Sequence, residues 1–258
     1  MDTSPYGWWF PPNISMHGAG IDRIIDVVHW FMAVLFVGWG IFFVYCLIKF
    51  RARPGHQASY QLPKAKISKV AEVGVLVFEV FLLVGLSMPV WSKYRNDPPK
   101  AEENPMEIRV VAEQFAWNFH YPGADGKFGR THPRFMAADN LIGLDRSDPL
   151  AADDIALNNK FYMPKDRPIV LRLTSKDVIH SIWIPVMRVK QDVIPGMEIP
   201  VWFTATQTGH YQIGCAQLCG NNHFTMISDL FVQEPEEFRQ WQLEQKSSGG
   251  EEEEEEDA

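Results

Sequence analysis

Two long apolar stretches lie near the start of the chain, and short alternating segments fill most of the rest. From Val27 to Ile48, His29 is the only ionisable side chain besides Tyr45 and Cys46. At about 1.5 Å per residue, a helix of that length crosses a bilayer core of roughly 30 Å. The preceding MDTSPYGWWFPPNISMHGAGID lacks the basic start of a cleavable signal, so the stretch reads as a retained anchor. A second stretch, Val70 to Trp91, matches the first in length but contains Glu72 and Glu79. A carboxylate in lipid costs roughly 2.5 kcal/mol or more, which keeps a buried core helix open as the alternative. Seven residues apart, the two glutamates share one helical face and could both point at a partner helix or a water path.

The segment between the stretches, KFRARPGHQASYQLPKAKISK, carries only basic charges, whereas residues 1–22 carry no lysine or arginine. The positive-inside rule puts this loop in the cytoplasm and both termini, with everything after Trp91, on the opposite side. The pattern predicts an N-terminal segment over 1–22 and a transmembrane hairpin over 23–91, with helices at about 24–50 and 69–91. A linker, 92–105, follows.

Beyond the linker the period changes to two. MEIRVVAEQFAWNFHY, RPIVLRLT, SIWIPV, EIPVWFTAT, GHYQIGC and MISDLFVQ alternate and are rich in aromatic and β-branched residues, which predicts strands. PEEFRQWQLEQK, with Pro235 in the first turn and glutamates behind it, predicts a helix. A small β-sandwich or barrel over 106–246, closed by a C-terminal helix, is therefore expected. Residues 122–160, rich in Gly, Pro, Asp and Asn, read as a long loop over one end. The tail 247–258 reads as a disordered, solvated charge run.

Composition changes this picture little. The formal charge is −8, but Glu251 to Glu256 and Asp257 supply seven of the negatives, and no basic patch suggests a nucleic-acid partner. Three cysteines are too few and too oddly spaced for a secreted disulfide scaffold.

Two of those cysteines carry the chemistry. GCAQLCGNNHFTM places Cys215, Cys219, His223 and Met226 between two predicted strands. Thiolates, an imidazole and a thioether select copper or zinc over calcium or magnesium, and the thioether favours copper. His180, in KDVIHSIWIP, is the best candidate for a further ligand. Two thiolates can bridge two copper ions, each capped by one histidine. A Cys215–Cys219 disulfide and a structural Cys2His2 zinc site remain open, although neither uses the methionine.

Taken together, these residues resemble subunit II of the haem-copper cytochrome c oxidases over nearly the whole chain. The resemblance rests on a membrane hairpin followed in order by KDVIHS, VKQDVIPG and CAQLCGNNHFTM. It implies a two-helix transmembrane hairpin plus an all-β cupredoxin-like sandwich with a C-terminal helix. It further implies a dinuclear copper A centre that accepts electrons from cytochrome c and passes them to haem in subunit I, where dioxygen is reduced and protons are translocated. By the same resemblance Cys215 and Cys219 bridge the coppers, His180 and His223 cap them, Met226 is a weak axial ligand and Gln217 contributes its backbone carbonyl. The family usually has glutamate at the position of Gln217, where the side chain helps bind magnesium at the subunit I interface. A neutral amide there weakens or removes that magnesium site.

The family's aromatic segment Gln-Trp-x-Trp becomes Gln114-Phe115-Ala116-Trp117, so the first tryptophan, where electrons come in at the surface, is replaced and Trp117 is the remaining candidate for that role. Strand packing is its ordinary alternative. Glu72 matches a glutamate at the cytoplasmic mouth of the proton-uptake channel, with snorkelling beside Lys69 as the alternative. No Cys-x2-Cys-His occurs, so electrons are expected from a separate or membrane-associated cytochrome. The acidic tail could steer a basic cytochrome c or simply add solubility. The expected setting is a bacterial plasma membrane, with lipid, subunit I and other oxidase subunits as partners. Copper-free quinol-oxidase subunit II and a copper carrier or assembly protein are the rival readings.

Overall fold

The computed structural model describes residues 9–55, 57, 60, 66–123 and 125–256, with side chains as far as Gln245. The chain divides into two units, one formed by residues 19–97 and the other by the remainder.

In the first unit, α1 spans Gly18–Lys49 and α2 spans Lys66–Val80; a wide turn of π-helix, Phe81–Ser87, then leads into α3, Met88–Asn96. Together α2, the π-turn and α3 make one continuous rod, Lys66–Asn96. The first rod starts at Gly18 rather than 24, and the second runs past 69–91 at both ends, because hydropathy reads only the apolar middles. The π-turn has a local cause. Pro89 offers no N–H to the turn before it, and the Ser87 hydroxyl donates to the Leu82 carbonyl at 3.0 Å. Phe31 and Phe78 join the rods, their ring centroids 4.5 Å apart. Most other apolar side chains, Phe36 and Trp39 among them, face outward. Both rods are long and apolar enough to cross a membrane.

The second unit is the expected β-sandwich. One sheet has the order β3-β2-β1-β5-β8 and the other β4-β10-β9-β6-β7. The strands are β1 Met106–Glu113, β2 Ala116–Tyr121, β3 Ile155–Asn158, β4 Lys160–Pro164, β5 Ile169–Ser175, β6 His180–Ile184, β7 Val189–Val193, β8 Ile199–Phe203, β9 Gly209–Cys215 and β10 Ile227–Gln233. Pairs β1–β5 and β10–β4 are parallel and the others antiparallel. Alternate residues point between the sheets: Ile108, Val110 and Ala112 from β1, Trp117, Phe119 and Tyr121 from β2, and Leu171 and Leu173 from β5 meet Phe161, Ile182, Ile213 and Leu230. Helix α4, Pro235–Glu256, closes the unit through Trp241, which stacks on Tyr162 at 4.5 Å.

Three expectations change here. Residues 122–160 are not one loop, since β3 and the start of β4 lie inside them. The tail expected to be disordered from 247 is helical as far as Glu256, because extending an established helix with glutamates needs no new nucleus; Asp257 and Ala258 lie outside the described residues. Finally, the N-terminal segment is no separate appendage. Its residues 1–8 lie outside the described residues, but Ile14 sits in the sandwich core with 1% of its surface exposed. The Ile14 N–H donates to the Val186 carbonyl at 2.9 Å, its carbonyl accepts from Thr206 N at 2.7 Å, and Met16 N donates to the Thr204 carbonyl at 3.0 Å.

Candidate metal centre

Antiparallel pairing of β6 with β9 brings His180, the first residue of β6, to the same end of the sheet as Cys215, the last residue of β9. The register matches Ile182 with Cys215, and the ladder is prolonged by Ala216 N donating to the Ser181 carbonyl at 2.8 Å. Beyond it, the β9–β10 loop turns back and delivers Cys219, then His223 in a short 3-10 turn, then Met226 just before β10. Gly220 makes the turn. Its φ is +143°, and a Cβ there would lie 2.8 Å from Gln114 Nε2 and 3.0 Å from the Phe115 ring.

All six residues singled out in the sequence as ligands converge. The Cys215 and Cys219 Sγ atoms are 4.0 Å apart, twice the length of a disulfide bond, and both cysteines are free. Each sulfur faces its own imidazole: Cys215 Sγ lies 4.0 Å from His180 Nδ1, and Cys219 Sγ 3.5 Å from His223 Nδ1. The Gln217 carbonyl is 3.2 Å from Cys215 Sγ, and Met226 Sδ is 3.8 Å from Cys219 Sγ. The donor set is soft and held closely enough to fit a pair of copper ions.

Two supporting residues escaped the sequence reading. Asp177 Oδ1 meets His180 Nε2 at 2.9 Å, which fixes the ring with Nδ1 turned toward the sulfur. An acid three residues before the histidine was the available signal. Gln114 donates its amide to the Cys219 carbonyl at 2.6 Å, and its own N–H donates to Asp177 Oδ2 at 2.7 Å, so one residue braces both ligand segments. Its place at the head of the aromatic segment Gln114-Phe115-Ala116-Trp117 was the available signal.

Charge follows from this arrangement. Burial pushes the Cys215 thiol up, but the His180 ring, the Ser181 and Gln217 backbone and the Cys219 thiol outweigh it and bring Cys215 down to about 6. Burial, reinforced by the negative Cys215 sulfur, pushes the Cys219 thiol up to about 11. His180 is raised, since its bonds to Cys215 and Asp177 more than offset burial. Asp177 is lowered: burial opposes this, but the His180 ring and the N–H groups of Gln114 and Val178 prevail. The thiolate is the nucleophile, so above pH 6 Cys215 is reactive while Cys219 stays protonated. In metal-free protein at about pH 7.5, iodoacetamide is expected to modify Cys215 at least about tenfold faster than Cys219, as read by peptide mass spectrometry. Equal rates would contradict the assigned charges.

The remaining sequence candidates behave differently. Trp117 has no exposed surface and its indole N–H has no partner among the described residues, so it cannot be the surface contact for an electron donor. The alternation of β2 turns it inward, where it meets the His180 ring edge-on at 6.2 Å. Phe115, at the β1–β2 turn, is half-buried against the Cys loop at Gly220. Glu72 and Glu79 are exposed on α2, far along the chain from the ligands.

Fold and site together define an anchored, cupredoxin-like sandwich with a Cys/His/Met cluster at one end. The family described as cytochrome C oxidase subunit II, periplasmic domain, matches residues 106–231. An alternative cytochrome c oxidase subunit 2 of Bradyrhizobium diazoefficiens is 30% identical over 241 residues, 93% of this chain and 85% of that protein. A cytochrome c oxidase subunit 2 of Synechocystis is 33% identical over 138 residues, 54% of this chain but 32% of that protein's length. The solved periplasmic domain of subunit II of cytochrome oxidase from Bradyrhizobium japonicum is 29% identical and covers 58% of this chain and 97% of its own, with a TM-score of 0.42. The chain belongs to the cytochrome c oxidase subunit II family, and its two long apolar rods and its family-matched periplasmic domain make it a membrane-anchored subunit with an extracytoplasmic sandwich.

Proposed function

We propose that this chain is the electron-input subunit of a terminal oxidase. In this reading His180, Cys215, Cys219 and His223 would hold two copper ions, with Met226 beside Cys219 and the Gln217 carbonyl beside Cys215 as further ligands. Bound there, the copper pair would take up and give back one electron at a time, spread over both metals and both sulfurs. The observation that carries the reading is that each sulfur has its own imidazole Nδ1 beside it, while of these four side chains only His180, Cys215 and Cys219 have ligand atoms all within 4.8 Å of one another.

The residues around the ligands do the rest. Asp177 keeps His180 oriented, Gln114 ties the Cys loop to β1, and Gly220 lets Phe115 lie against that loop. A scaffold fixed in this way limits rearrangement as charge changes. Electrons would come from a cytochrome c, soluble or membrane-associated, and pass to haem in subunit I, where dioxygen is reduced with proton translocation. The Phe115 edge is the proposed point of arrival, with Trp117 behind it beside His180. Gln217 is proposed for its carbonyl alone. Glu72 is proposed to face a proton-uptake path in the partner subunit.

Chain order supports the orientation. Residues 9–17 before α1 and residues 98–245 after α3 belong to one folded unit, so a hairpin that crosses the membrane twice leaves both on the same side. With the basic loop cytoplasmic, that side is the outside of a bacterial plasma membrane.

Metal content and electron spin resonance of the purified full-length protein test the assignment. Two coppers sharing one unpaired electron are expected. One copper, or zinc, would redirect it to a carrier or a structural site.

A further inference from the structure

Away from the metal ligands, the insert between β2 and β3 forms a cleft of about 450 Å³ with the outer face of β1. The insert is well tied. Asp154, fully buried, meets His120 Nε2 at 2.7 Å and accepts from Gly129 N at 2.7 Å. Asn140 donates to the carbonyls of Phe135 and Leu144 at 3.0 and 2.9 Å. The cleft is therefore a fixed feature of the fold.

Its walls are basic. Arg109, Arg130 and Arg134 all reach it, and their situations differ. Arg130 is committed to Asp145 and Asp148 at 3.1 and 3.2 Å, which also neutralises the acid that lines the cleft. Arg109 lies over the Phe128 ring at 4.1 Å and Arg134 over the Phe135 ring at 4.3 Å, and among the described residues neither has a carboxylate within ion-pair distance. A guanidinium held over a ring loses rotational freedom and still has N–H groups to offer, which suits it to grip a planar or tetrahedral oxyanion with two parallel hydrogen bonds. His132 lines the same space and accepts from Arg134 N through Nδ1 at 3.1 Å, which leaves Nε2–H as a further donor.

We propose that this cleft binds a multivalent oxyanion, a phosphate or polycarboxylate group of a small molecule, held between Arg109 and Arg134. Its volume lies within the range of about 300–1,000 Å³ usual for small-molecule sites, and two guanidinium groups without a carboxylate partner line it, which suits a ligand with more than one anionic group. The inference is independent of copper and of electron transfer.

Isothermal titration calorimetry of the full-length protein in detergent at low ionic strength tests it, with pyrophosphate and citrate as probes and acetate as the monovalent control. Pyrophosphate, citrate or both should bind and acetate should not; pyrophosphate alone would mark phosphate chemistry, citrate alone carboxylate chemistry. R109Q and R134Q should each weaken binding about tenfold or more, R134K should weaken it less, and R239Q on α4 should leave it unchanged. Thermal unfolding of each variant confirms that it is folded. Absence of heat with both multivalent anions, or equal binding by the wild type, R109Q and R134Q, would overturn the proposal.

Discussion

Cys219→Ser is expected to leave a folded sandwich that no longer holds two metal ions. Serine is nearly the same size and the site is small, so the buried position, 4% exposed, should tolerate it. The hydroxyl, however, is neither soft nor ionised at neutral pH and cannot bridge. Cys219 touches three other ligands: Cys215 Sγ at 4.0 Å, His223 Nδ1 at 3.5 Å and Met226 Sδ at 3.8 Å. Loss of an outer partner of a metal site already costs about 10–100-fold in affinity or activity, so loss of this sulfur is expected to exceed about 100-fold in oxidase turnover. Copper content per chain and the spin resonance spectrum are the primary readouts. Retention of two coppers and normal turnover would refute the bridging role, and a melted protein would be recognised by its circular dichroism.

Trp117→Ala is expected to be the most damaging core substitution for stability. The side chain is fully buried beside Phe119, Ile182 and His180, and truncation of a buried tryptophan costs about 3–5 kcal/mol. Trp117→Phe should cost much less. It keeps most of the packing and removes an indole N–H that has no partner among the described residues, a group whose burial alone costs about 1–3 kcal/mol. Urea unfolding of the detergent-solubilised chain distinguishes the two. A loss below about 1 kcal/mol for the alanine variant would mean that the core can collapse around the gap.

The sequence made some elements plain and hid others for physical reasons. Strands such as β1 and β5 were legible because alternation there directly reports which side faces the core. Strands β3, β4 and β7 were not: Ile155–Asn158 and Val189–Val193 each carry only two or three apolar residues and owe their conformation to partners elsewhere in the chain. Residues Asn13 to Met16 gave no strand signal, being held by a single apolar side chain and backbone hydrogen bonds to Val186, Thr204 and Thr206. At the metal cluster, Cys215, Cys219, His223 and Met226 announced themselves by ligand type and spacing. His180 was legible only in their company, and Gln114 only as a letter of the aromatic segment, because a brace that works through an amide and a carbonyl leaves no periodic trace.

The strap around Ile14 bears on how the subunit is built. In the proposed orientation, the residues that complete the edge near Thr206 precede the anchor in the chain and are carried across the bilayer before the remainder of the sandwich can close on them. Translocation of that segment thereby becomes a step in maturation of the distal domain, and severing the anchor at its outer end would remove one of the domain's own staves.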